Sequence, residues 1–64
     1  MNKLIIEKVF YNFVGVLYDS SQEIIDIYVE DTELEVVQKA SIQVGCGHFN
    51  IERVFFGGNN FEHK

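Results

Sequence analysis

The tripeptide Cys46-Gly47-His48 is the place in the chain where a nucleophile stands close to a base. Neighbours in sequence rarely reach hydrogen-bonding geometry, and catalytic Cys/His pairs come from separate parts of a fold. Together with His63 this segment could supply metal ligands, but the paired-cysteine spacing of structural zinc sites is missing. We therefore expect loop residues without a chemical role here and no metal site, with a metal site shared across a dimer axis as the alternative.

Two other patterns could carry chemistry. Gly57-Gly58 follows a candidate strand, yet no Lys-Ser/Thr follows the glycines, so the pair indicates a turn and not a phosphate loop. Asp26 and Glu30 would share one strand face about 13 Å apart, which is too far for a glycosidase carboxylate pair. The sequence thus predicts no catalytic residues, no cofactor and a protein that is not an enzyme.

The charge layout is more informative than the net charge of −5. Residues 9 to 38 contain no Lys or Arg and carry −7, whereas the rest of the chain carries +2. Phosphate contact needs cations, so this segment does not fit DNA or RNA. Solubility alone explains an acidic exposed face, and a basic partner surface is the alternative interpretation that carries a function. The acidic binding surface is expected at Asp26, Glu30, Asp31, Glu33 and Glu35.

Residues 12 to 31 read as two strands around the polar turn 19 to 22. Ile25, Ile27 and Val29 alternate with polar residues, which is typical of a half-buried strand. Counting back from the loop predicts that Val16 lies opposite Ile25. On the same face, Val14 would then lie opposite Ile27 and Asn12 opposite Val29. Phe13 would then lie opposite residue 28.

The remaining segments complete a small α+β domain spanning residues 1 to 64. Residues 3 to 10 form an extended segment that is expected to continue into the strand at 12 to 18, with a bend near Asn12 or Gly15. Thr32 followed by Glu35 matches a capping box and predicts a helix over 33 to 43. Residues 48 to 56 form another strand. The architecture is a small antiparallel sheet with one helix (β-β-α-β), with an all-β fold as the alternative.

One helix can cover only one face of such a sheet. The opposite face is expected to expose an apolar interface made of Tyr11, Phe13, Leu17, Ile24 and Tyr28. A chain of 64 residues with one cysteine is marginal alone and cannot form an internal disulfide. A homodimer is therefore expected.

The N-terminal residues carry charges among their apolar positions and do not resemble a signal peptide. No apolar run is long enough to span a membrane. A lone thiol suits a reducing compartment, so a cytoplasmic location without membrane contact is expected.

Three functions follow as hypotheses. The first is a small binding protein of phage or mobile-element type, including anti-defence roles, which inhibits or modulates a host protein. The second is a small-molecule sponge, a dimer whose pocket is lined by Tyr11, Tyr28, Phe55 and Phe56. The third is a structural subunit of a larger assembly.

Overall fold

A computed structural model describes residues 1–45 and 48–54 of the chain. The elements in chain order are β1 (Asn2–Val9), β2 (Asn12–Tyr18), β3 (Ile24–Glu30), α1 (Glu33–Gln43) and β4 (Phe49–Val54). The sheet order is β3-β2-β1-β4, with β2 antiparallel to β1 and β3, and β4 parallel to β1. The α+β class is confirmed, but the sheet is mixed and its described part has four strands.

The first two strands form a hairpin, so the expected continuation of the first segment into β2 is wrong. Val9 pairs with Asn12, which leaves Phe10 and Tyr11 as a two-residue turn. Phe10 has a φ of +57°, in the left-handed region that glycine and asparagine enter most easily. The two central residues are aromatic and are neither glycine nor asparagine, so the sequence pattern does not indicate a tight turn here.

The second hairpin has the predicted polar loop with a different register. The Asp19 carboxylate accepts hydrogen bonds from the backbone N–H groups of Ser21 (2.8 Å) and Glu23 (2.9 Å), which closes the loop. Val16 pairs with Ile27 and not with Ile25, because the pairing shifts between Leu17 and Tyr18. Such a bulge leaves one residue of β3 without a partner.

The predicted helix over 33 to 43 is confirmed, so the all-β alternative is wrong. Thr32 is its N-cap: the hydroxyl accepts a hydrogen bond from the backbone N–H of Glu35 (3.2 Å) and lies 3.1 Å from the Glu35 carboxylate. The hydroxyl donates to that carboxylate, whereas in a standard capping box the carboxylate accepts from the cap's own N–H. Gly45, with a φ of +72°, follows the end of the helix.

The core lies between α1 and one face of the sheet. Its buried members come from β1, β2, β3 and α1; they are Leu4, Ile6, Leu17, Tyr28, Val36 and Ala40. Gly15 is the point of closest approach, since a Cβ built there would overlap Cγ1 of Val36. The missing side chain of Gly15 thus makes room for the helix.

Candidate protein-binding surfaces

The acidic residues expected to bind a partner concentrate where β3 ends and α1 begins. We call this region, comprising Glu30, Asp31, Glu33 and Glu35, the acidic junction. Asp26 lies farther back along β3, where its carboxylate accepts a hydrogen bond from the backbone N–H of Ile27 (2.8 Å). The junction therefore brings together four of the five acidic residues singled out from the sequence.

Two carboxylates of the acidic junction form ion pairs that tie α1 to the sheet. Glu30 of β3 lies 2.8 Å from the ammonium of Lys39, and Glu33 of α1 pairs with the guanidinium of Arg53 on β4. The hydrogen bond from Lys39 to Glu30, and then the charge of Glu30, raise the pKa of Lys39. These two carboxylates have an internal structural role, which the base-free run in the sequence could not reveal.

The other three acidic residues of the predicted binding surface make polar contacts of a different kind. In the part of the chain that the structure describes, Asp26, Asp31 and Glu35 form no ion pair with Lys or Arg. The Asp31 carboxylate is 3.5 Å from the side-chain nitrogen of Asn12, and Glu35 contacts the Thr32 cap. Polar groups therefore contact Asp31 and Glu35, although the charge of Glu35 also contributes to the raised pKa of Lys39.

The face expected to be open is instead the one that the helix covers. Leu17 is fully buried and Tyr28 is 8% exposed, both under α1. Phe13 is half-buried against the same core, with the Lys8 ammonium 5.5 Å from its ring centre. The expectation that these residues form an exposed interface is wrong, because α1 packs over the face where Gly15 gives it room.

The two remaining members of that expected interface are exposed but lie elsewhere. Ile24 is 57% exposed and pairs with Tyr18, whose side chain belongs to the face away from the helix. Tyr11 is 89% exposed in the turn between β1 and β2. The structure therefore does not bring the five predicted interface residues together.

The β1–β2 turn is a surface that the sequence reasoning missed. Phe10 is 87% exposed beside Tyr11, so two large aromatic side chains stand in solvent. We call this pair the aromatic tip. The hydrogen bond from Asn12 to Asp31 links the foot of this turn to the acidic junction. The aromatic tip and the acidic junction therefore occupy the same end of the sheet.

The sheet face away from α1 carries a second apolar surface. Ile5, Val16 and Ile27 form one cross-strand row, and Val14 and Val29 extend it. We call these five residues the open-face patch. Ile27 and Val29 are 53% and 58% exposed, and the others are half-buried. None of the described elements covers this patch.

The possible metal-ligating side chains do not form a cluster in the described residues. Within 1–45 and 48–54, no group of three His, Cys, Asp or Glu side chains could hold a metal ion. His48 is exposed before β4, whereas Cys46 and His63 lie outside the described residues. The Cys46/His48 interpretation therefore stays a prediction.

The expected aromatic ligand pocket is not formed by its described members. Tyr11 is in solvent and Tyr28 is in the core, while Phe55 and Phe56 lie outside the described residues. An open depression of about 410 Å³ lies elsewhere, at the end of the sheet near the β2–β3 loop. It is lined by Met1, Lys3, Ile5, Tyr18, Asp19, Ser20 and Gln22.

The only helix in the described part of the chain is too short to cross a membrane. No family model matches the sequence, and comparisons with curated proteins and with solved structures gave no match.

Proposed function

We propose that the chain is a small protein-binding module, which inhibits or modulates a target protein by surface complementarity and not by chemistry. One observation carries the proposal: the aromatic tip stands at the same end of the sheet as the acidic junction. The target surface that complements this end has an apolar cleft with basic side chains beside it.

The aromatic tip supplies the apolar part of this binding end. Aromatic side chains dominate the energetics of protein interfaces when they enter a well-packed pocket. The pair is held by a tight turn, so binding would cost little backbone entropy. The left-handed backbone of Phe10 costs stability that a glycine would avoid, and strained residues of this kind concentrate at functional sites.

The carboxylates that form no ion pair among the described residues supply the electrostatic part. Asp31 and Glu35 lie in or next to the first turn of α1, while Glu30 and Glu33 are engaged with internal cations. Exposed charges of this kind mainly speed association and select the partner. The proposal therefore assigns the contact with a basic target to Asp31 and Glu35, with Asp26 farther along the same side.

The test is affinity capture from a host lysate at low and high salt, followed by quantitative mass spectrometry. The wild type is compared with Phe10→Gly, Asp31→Lys and the control Glu23→Lys. Glu23 lies at the opposite end of the sheet, and its reversal changes the net charge as much as that of Asp31.

We expect a protein that the wild type and Glu23→Lys retain, that Phe10→Gly loses and that Asp31→Lys binds more weakly at low salt. The captured protein is then purified, and its Kd for each variant is measured by calorimetry. Equal retention by all four proteins would contradict the proposed binding end.

A further inference from the structure

We infer that a second copy of the chain covers the open-face patch, so that the protein is a homodimer with two sheets packed face to face. The inference does not depend on the target proposed above, because the patch and the aromatic tip are separate surfaces. It replaces the expectation of a dimer built on the opposite face, which α1 already occupies.

The side chains of the patch are those of an inner sheet face. All five are Val or Ile, and they occupy neighbouring positions across three strands. Branched side chains of this kind interdigitate when two sheets pack about 10 Å apart. On a solvent-facing sheet surface, polar residues normally alternate with the buried ones. The patch therefore matches the inside of a two-sheet sandwich.

Charge decides which occupant fits. The open-face patch contains no ionisable side chain, and its neighbours on β1 and β4 are Glu7 and the Lys3–Glu52 ion pair (3.4 Å). An anionic lipid surface would require basic residues, and the chain carries −5. A basic protein would face no acidic partner group on the patch itself. An uncharged apolar face fits another such face, and a second copy supplies one.

The whole open face, with the patch at its centre, is close in size to the smallest interfaces of stable dimers. Four strands spaced about 4.8 Å apart, with a rise of about 3.3 Å per residue, give a face of roughly 19 by 23 Å. Side chains project from this face, so its solvent-accessible area is larger than the flat estimate. The smallest stable interfaces bury about 600 Å² on each partner, and the accessible area of the face approaches that value. A two-fold axis through the patch would place the same residues of both copies in contact.

Pairing through the β3 edge is a less suitable arrangement. The backbone N–H of Ile27 in the middle of that edge donates to the carboxylate of Asp26. A strand added to this edge would have to displace that hydrogen bond. Side chains that occupy edge donors are a known protection against edge-to-edge association. The face and not the edge is therefore the inferred contact.

The first test is sedimentation equilibrium of the full chain, with Ile27→Lys as the variant and Ile42→Lys as its matched control. Ile42 lies on α1 and is 79% exposed, so both changes place a lysine at an exposed isoleucine. We expect the wild type and Ile42→Lys to have twice the 7.4 kDa of one chain. Ile27→Lys should raise the dimer Kd at least about 100-fold, because two lysines would lose water.

The second test does not require a variant. A mixed sample of isotope-labelled and unlabelled chains should give intermolecular methyl contacts from Ile27 and Val29 to the partner copy. If Ile27→Lys fails to fold by circular dichroism, Val29→Thr replaces it, since threonine keeps the shape and adds one hydroxyl.

Three results would overturn the inference. One is a wild type that stays at 7.4 kDa over a wide concentration range. Another is a dimer that Ile42→Lys disrupts and Ile27→Lys does not. The third is a set of patch methyl contacts that are all intramolecular and involve residues 55–64, since a segment of the same chain would then cover the patch.

Discussion

Gly15 of β2 lies directly beneath Val36 of α1, at a separation that leaves no room for a Cβ atom. The methyl Cδ1 of Leu4 would also come within 3.3 Å of such an atom. This contact limits how closely the helix approaches the face of the sheet that forms the core. The opposite face, with its Val and Ile side chains, is left open by the described elements.

Gly15→Ala is expected to lower the free energy of unfolding by about 1–3 kcal/mol, because an added methyl overpacks the core. Without such a close contact, replacing a strand glycine by alanine would stabilise the protein by about 0.5–1 kcal/mol. A loss of stability would therefore indicate overpacking. Urea denaturation measures the change. Val36→Ala in the same chain should recover part of the loss.

Gly45→Ala, alone and combined with Val36→Ala, is the control for the Gly15→Ala experiment. Its φ of +72° strains an alanine, but nothing lies within 4 Å of the added Cβ. The stability that Gly45→Ala loses should therefore not be recovered by adding Val36→Ala. Recovery there, or a Gly15→Ala protein more stable than the wild type, would contradict the packing relationship.

The N-cap of α1 gives a second prediction. Thr32→Ala removes the hydroxyl that accepts the hydrogen bond from the N–H of Glu35, and should cost about 1 kcal/mol of stability. Ser41→Ala removes a hydroxyl inside the same helix, where alanine has the higher helix propensity, and should be neutral or slightly stabilising. Thermal unfolding followed by circular dichroism compares the two. Equal losses would argue against the cap.

The aromatic tip gives a third prediction, in which target binding is lost without a loss of stability. Phe10→Gly relieves about 1–2 kcal/mol of left-handed strain and adds about 0.5–1 kcal/mol of backbone entropy cost. We expect a free energy of unfolding equal to or higher than that of the wild type, with loss of target binding. Denaturant unfolding and the capture experiment together check both halves.

Tyr11→Gly is the comparison for this prediction, because the structure assigns a positive φ to Phe10 and not to Tyr11. It should gain no stability. A Phe10→Gly protein that is markedly less stable than Tyr11→Gly would mean that the Phe10 ring is already packed within the chain.

The buried hydroxyl of Tyr28 gives a fourth prediction. It has no hydrogen-bond partner in the described structure, and such a group costs about 1–3 kcal/mol when buried. Tyr28→Phe should therefore raise the free energy of unfolding by about 1 kcal/mol. Tyr18→Phe, at a half-buried position on the open face, is the control and should have little effect.

The same tyrosine predicts a pH dependence. Burial, and to a smaller extent the Asp26 carboxylate, raise the pKa of Tyr28 above its usual 10.0. The folded state then holds the phenol proton more tightly than the unfolded state. This contribution is fully present below pH 10 and is lost as the pH rises through the folded-state pKa. Above pH 10 the wild type should therefore lose stability more steeply than Tyr28→Phe, and parallel curves would contradict this.

Local patterns predicted the elements whose signals lie within a few residues. Thr32 and Glu35 located the start of α1, and the loop beginning at Asp19 located the second hairpin. The turn at Phe10 could not be located in this way, because aromatic residues are unusual in a left-handed turn position. Its identification requires the pairing of β1 with β2, which only the folded chain defines.

Alternation correctly separated the two sides of β2, but it could not say which side receives the helix. The helix packs on the side where Gly15 meets Val36, and this contact joins two residues that are far apart in sequence. The acidic segment 9 to 38 is a second case in which the sequence shows the residues but not their contacts. Its acidity was readable from the sequence, whereas the ion pairs of Glu30 and Glu33 depend on where the fold places Lys39 and Arg53.

The parallel pairing of β4 with β1 has a consequence for synthesis on the ribosome. Of the described strands, β1 comes first in the chain and lies in the interior of the sheet, and its outer neighbour is β4, the last strand described. Until residues 49–54 emerge, the backbone of β1 on that side has no strand to bind. The nascent chain must therefore keep this edge unpaired, and a chaperone or a neighbouring nascent chain could reach it only during that interval.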